Sequence, residues 1–209
     1  MTRIIHSCAI SFALLSLACA SAPTESEVEI PPRMYLAEWN TIGIVTFESP
    51  VDVKLAGQAT RHFLEMLQAA QPEVRIVELG SADAVLSEVG RDALDFEAVR
   101  AMGERYGVTA VFTGFLGLEE ARPRIKFGDA PTSVNARMDV AGELAARLTD
   151  TGSGALVWSR STSGLSNVAN VGLWGGVPSF GAKTPEEARN GLVEHLVSEL
   201  RHDFYPTWQ

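Results

Sequence analysis

His195, Glu199 and His202 stand at i, i+4 and i+7 near the carboxyl end. That spacing aligns three possible metal ligands along one helical face. On a helical projection they fall opposite the apolar stripe of Leu192, Leu196 and Leu200, so they read as a solvated face, and no fourth ligand accompanies them. No metal is expected. His62, next to Phe63, reads as a boundary histidine. Gly114-Phe-Leu-Gly117 and Gly152-Ser-Gly154 are the tightest glycine pairs. Neither follows a strand and opens a helix, as a dinucleotide-binding loop must, and the second reads as a hairpin turn. Gly-x-Ser-x-Gly, the phosphate loop and His-Glu-x-x-His do not occur in the sequence. No catalytic residue and no cofactor are expected, and the chain reads as a non-enzyme.

The remaining reactive side chains are the two cysteines, Cys8 and Cys19. Arg3 precedes an apolar run from about Ala9 to Ala18, followed by small residues around Cys19. This is the layout of a secretory signal over residues 1–18, too short for an ordinary membrane-spanning helix. Leu15-Ser-Leu-Ala-Cys19 resembles the bacterial lipoprotein signal, in which the cysteine becomes the lipid-bearing first residue. Ser16 and Leu17 depart from its usual pattern, and Ala18-Cys19-Ala20 and Ala20-Ser21-Ala22 also suit ordinary signal peptidase. If the resemblance holds, lipidated Cys19 leaves no thiol for catalysis or for a disulfide. Ala20 then implies an outer-membrane address on the periplasmic side, and three acyl chains would anchor the chain stably. If it does not hold, the domain is a free periplasmic binding module. Residues 19–34 follow as a flexible tether, small, acidic and proline-rich.

The elements that carry these residues occupy 35–209, one domain's length. The 209-residue chain is 46% hydrophobic, too apolar for disorder, and its 26 acids against 17 bases give a net charge of −9. So acidic a chain is a poor nucleic-acid binder. Thr41–Phe47 reads as a buried strand, and residues 53–70 as a helix with Leu55, Ala59, Phe63 and Leu67 on one stripe. Val74–Leu79 reads as a strand. Ser81 caps a helix ending at Gly90, Asp95 caps another ending at Gly107, and Val108–Leu116 is the next strand. That order favours parallel pairing. From Val134 to Thr149 the period is two, which means a long strand with one face buried and one wet. Asp150–Gly154 turns it back into Ala155–Ser159, and residues 119–127 suit its start as a further partner. Thr184-Pro-Glu-Glu187 opens a helix to about Phe204 with a capping box. The expected fold is α/β: a single mixed sheet, parallel in its first half and antiparallel in its second, with helices packed on it.

Residues 164–183 predict no regular element. Within them, Leu173, Trp174 and Phe180 form the best candidate contact surface, because exposed aromatics on a loop often meet a partner. The competing reading is that Trp174 and Phe180 fold back over the sheet.

Ile42–Phe47, Ala98–Gly107 with Val108–Gly114, and Leu148–Gly152 with Leu156-Val-Trp158 together resemble a bacterial outer-membrane lipoprotein superfamily. It includes the curli secretion-channel lipoprotein and the outer-membrane activator of penicillin-binding proteins, and the amino-terminal domain of the Tol translocation protein is similar. The resemblance covers about residues 41–204, and its motifs are structural, so they carry over no catalytic residue. It implies either a periplasmic module that binds an envelope protein, or a self-associating subunit of an oligomeric secretion channel. Residues 119–142 make a marginal pore-forming hairpin, since Arg122, Arg124, Lys126 and Arg137 would have to face a lumen. The binding or envelope-assembly reading is preferred.

Overall fold

The computed structural model describes residues 29–119, 122–127, 134–174 and 177–208, with residues 122–127, 134–137, 170–174 and 177–180 described by backbone alone. Cys19 lies outside the described residues.

The first half is a doubly covered parallel unit. β2 (Thr41–Val45) pairs parallel with β3 (Arg75–Gly80) on one side and with β4 (Ala110–Leu118) on the other. α1 (Val53–Ala70) makes the first crossover, and its amino end is capped by the Asp52 carboxylate, which accepts from Leu55 N at 2.9 Å. α2 (Ala82–Val89) and α3 (Phe96–Tyr106) make the second, starting at the expected caps Ser81 and Asp95. Each ends on a left-handed glycine, Gly90 and Gly107, the latter with φ 67°.

The second half is antiparallel, and its strands are long. β6 (Val134–Asp150) pairs with β4 along residues 142–150 and with β5 (Arg122–Phe127) along residues 134–139. β7 (Leu156–Trp174) returns along β6, and β8 (Val177–Ala182) pairs with its far end. The sheet thus runs β3-β2-β4-β6-β7-β8 with β5 added on β6, parallel then antiparallel as expected. α4 (Pro185–Leu200) begins with the expected Thr184–Glu187 capping box and lies across β6 and β7.

Two apolar layers flank the sheet. On one face α1 and α4 bury Phe63, Leu67, Leu192 and Leu196 against Ile42, Ile44, Phe112, Leu144 and Leu148. At its centre Phe63 meets the Phe112 ring edge-on at 5.2 Å and the Phe204 ring at 6.0 Å, while Trp158 and Phe204 stand 4.9 Å apart. Each such pair adds about 0.5–1.5 kcal/mol beyond its area. Gly114 of β4 is required here, because a Cβ would collide with the Phe47 ring. On the other face α2 and α3 pack Val85, Val99 and Met102 on Val45, Val108 and Val111, with Leu79 and Leu94 against them.

Three expectations are corrected. Residues 164–183 are largely strand: β7 continues to Trp174 and β8 follows, because the preformed edge of β6 supplies hydrogen-bond partners that no local hydrophobic period announces. The returning strand therefore runs well beyond Ser159. Finally, α4 stops at Leu200, and its last turn tightens into a 3-10 segment over Arg201–Asp203 that turns Phe204 into the core.

Candidate functional site

One end of the hairpin is where the amino-terminal segment is tied down. Glu29–Ile30 (β1) pairs antiparallel with Thr207–Trp208 (β9), so the chain is held from Glu29 onward. Met34 N donates to the Asp203 carbonyl at 2.8 Å. Gln71, buried at the end of α1, donates through Nε2 to the carbonyls of Met34 (2.7 Å) and Phe204 (3.1 Å). Its Oε1 accepts from Leu36 N at 2.6 Å. One side chain thereby satisfies three backbone groups from both ends of the chain, the accounting that burial demands.

Asp203 completes this pole. Its carboxylate accepts from Arg160 Nη1 at 2.7 Å and Trp158 Nε1 at 3.0 Å, with Arg33 3.9 Å away. Burial alone would raise its pKa, but the hydrogen bonds from Trp158 and Arg160 and the two guanidinium charges outweigh that and hold it below the usual carboxylate value. At the adjacent turn, Asp150 accepts from the Ser153 hydroxyl and N–H, both at 2.7 Å, and those bonds lower its pKa against partial burial.

The other end of the hairpin carries the sequence-predicted contact residues. Leu173 and Trp174 lie on β7 and Phe180 on β8, and the register sets Leu173 opposite Pro178, Trp174 opposite Val177 and Phe180 opposite Val171. All three therefore lie in one antiparallel hairpin, where the strand period sets Leu173 and Phe180 on one face and Trp174 on the other. The stretch from Trp158 to Trp174 is at most about 50 Å long at ~3.3 Å per residue.

Between the poles, the face of β4, β6 and β7 opposite α1 and α4 is only partly covered: Leu94 of the α2–α3 connection shares a cavity with Phe115, Ala145 and Arg147. Phe115, Leu165 and Val157 are 47%, 57% and 37% exposed there, among Ser159, Ser161, Ser163, Glu143 and Arg147, all exposed. The Ser161 hydroxyl donates to the Glu143 carboxylate. A shallow cavity of about 620 Å³ lies along this part of the sheet, between Gly117, Glu119, Ala141, Ser163 and Leu165. In the sequence this face shows only as the alternation Val157, Ser159, Ser161, Ser163, Leu165, too polar to mark a buried strand.

His195 and His202 are exposed and Glu199 is half-buried. The His195 ring sits over β7, where a Cβ at Gly164 would come 3.2 Å from its Cδ2. Among the described residues no three His, Cys, Asp or Glu side chains group to hold a metal ion. Among the same residues no helix is long and apolar enough to cross a membrane, which leaves membrane-crossing strands open.

No family model matches the chain, and no curated protein does. Among solved structures it is similar to a neuraminyllactose-binding hemagglutinin homolog from Helicobacter pylori, at 8% identity over 78% of this chain and 83% of that one, with a TM-score of 0.47. A lipoprotein from Neisseria meningitidis is similar at 17% identity over 77% and 96%, with a TM-score of 0.37. The carboxy-terminal domain of LpoB from Salmonella enterica is similar at 12% identity over 65% and 84%, with a TM-score of 0.35.

Proposed function

We propose that this chain is a non-enzymatic envelope lipoprotein, anchored through lipidated Cys19 to the periplasmic face of the outer membrane, whose domain binds or assembles another envelope protein. The observation that carries this reading is the separation of the two poles. The chain from Glu29 onward is held at the Asp203 pole, and the Leu173–Phe180 hairpin stands at the far end of β7. A tethered domain built this way presents its far hairpin away from its anchor. The composition of that hairpin, with Leu173, Trp174 and Phe180, suits a protein contact better than a small-molecule pocket.

One observation favours a second reading, a subunit of an oligomeric secretion channel. β6 and β7 have 17 and 19 residues, more than the 9–11 or so that a strand needs to cross a bilayer. The two readings part under site-specific photocrosslinking. A photoreactive residue replacing Trp174 in the full chain, irradiated in the intact bacterial envelope, is expected to capture a different envelope protein. Capture of lipid or of other copies alone supports the channel. No adduct at Trp174 or Phe180, with full-length protein present, overturns both.

A further inference from the structure

We propose that the cavity between the first turns of α1 and α4 binds a carboxylate, with the Arg189 guanidinium as its anchor. The cavity measures about 490 Å³ and lies where Lys54, Leu55 and Gln58 of α1 approach Pro185, Arg189 and Asn190 of α4.

The two helices pack side by side and run in the same direction. Their carboxyl ends meet where Gln71 donates to the Phe204 carbonyl, and their amino ends line this one cavity. Two positive dipole ends therefore lie next to each other, an arrangement that draws in negative charge. The chain supplies that charge locally. The Asp52 carboxylate accepts from Leu55 N at the start of α1, and the Glu187 carboxylate accepts from Thr184 N at 2.8 Å at the start of α4. Glu186 stands 3.9 Å from Lys54 Nζ. Each helix end thus has its own carboxylate, and the lysine has its own glutamate.

Arg189 is the charge left over. It is half-buried, its Nε is sealed from water with no acceptor, and among the described residues it joins no ion pair. A buried donor with no acceptor is rare in native proteins, and on a charged group it calls for a partner. The guanidinium offers its N–H groups in a fixed fork that matches the two oxygens of a carboxylate. With the other charges of the cavity matched, a single positive charge remains, which suits a singly charged carboxylate better than a doubly charged phosphate. Gln58 and Asn190, both half-buried, carry amide N–H donors beside it, and Leu55 and Pro185 give an apolar wall for the carbon chain that bears the carboxylate.

A free organic acid and the carboxyl end of a protein carry the same group, and the test separates them. It uses the full chain with Cys19→Ser, labelled with nitrogen-15, so the outcome depends neither on the anchoring nor on the hairpin contact proposed above. The probes are sodium acetate and N-acetylated tetra-alanine with a free or an amidated carboxyl end, against sodium chloride at matched ionic strength. The signal is the Arg189 Nε–H resonance, assigned by its absence from Arg189→Gln, together with the backbone amides of Gln58 and Asn190. The expected result is a saturating shift with acetate, at a midpoint of about 1–50 mM, that chloride does not reproduce. In Arg189→Gln the backbone response should weaken at least tenfold. Arg189→Lys, which keeps the charge and loses the fork, should fall between the two. Glu186→Gln should tighten binding about threefold by freeing Lys54. If Arg189→Gln does not fold, Arg189→Lys and Glu186→Gln carry the same test with opposite signs. A free-ended peptide that binds at least tenfold tighter than acetate assigns the site to a protein chain end, and equal affinities assign it to a small organic acid. No saturating shift with any carboxylate, an equal response to chloride or to the amidated peptide, or a response that survives Arg189→Gln overturns the proposal.

Discussion

The β2–β3–β4 half and the β6–β7–β8 half of one sheet are stabilised differently. In the first, helices cover both faces, and Val45 and Val111 are as buried as Ile44 and Phe112. In the second, α4 covers one face, so Leu144 and Leu148 are buried while Glu143 and Arg147 are exposed. The difference separates stability from recognition. A strand covered on both sides has no surface left to offer, whereas a strand covered on one side keeps its fold and has a full face free for contact.

Substitutions at increasing distance from the shared aromatic centre should grade this contrast. The largest loss is expected at Phe63, whose ring touches Phe47, Phe112, Trp158 and Phe204. Phe63→Ala should cost about 3–5 kcal/mol in urea denaturation, from lost transfer energy and the cavity left behind. A loss under about 1 kcal/mol would mean the two halves do not share this core.

Next comes the pole that joins both chain ends. Asp203→Asn should cost about 1–3 kcal/mol at neutral pH, by weakening the charged bonds to Arg160 and Trp158. Because the folded carboxyl titrates below its unfolded value, its contribution is present above about pH 4 and is lost as pH falls through the lower folded value. The gap between wild type and Asp203→Asn should therefore close in acid. A gap that stays constant from pH 7 to pH 2.5 would contradict the assigned ionisation.

A smaller effect is expected at the cap of α3, on the doubly covered side. Asp95→Ala should cost about 1 kcal/mol by orphaning Ala98 N–H, read as a lowered thermal midpoint. The smallest is expected on the open face: Ser163→Ala should stay within about 0.5 kcal/mol, since nothing in the described chain depends on it. A large loss there would show that this face is part of the fold's support.

The same contrast explains what could be read in advance. The parallel half announces itself through caps and terminators: Ser81 with Gly90, Asp95 with Gly107, each an element boundary set by local chemistry. β6 announces itself through an apolar residue at every second position from Val134 to Leu148. β7 beyond Ser159 does not. Its residues on the covered side include Arg160, Thr162 and Gly164, which lack the apolar character that marks a buried face. Arg160 is spent on Asp203, Thr162 donates to the Leu196 carbonyl, and Gly164 makes room for α4. These are tertiary reasons for being in a strand, and a single sequence does not display them. Gln71 and Asp203 were hidden likewise, because each draws its role from partners far away along the chain. Of the candidate contact residues, Leu173, Trp174 and Phe180 were picked out by their composition, while their assembly into a hairpin depended on β6.

Anchoring through Cys19 is the claim on which the proposed function turns, and fatty-acid labelling tests it most directly. The full chain and its Cys19→Ala variant would be expressed in a bacterial host with radioactive fatty acid, and the membranes fractionated. The expected result is label on the unsubstituted chain alone, recovered with the outer membrane. Unlabelled protein released to the periplasm from both would contradict it and leave a free periplasmic domain.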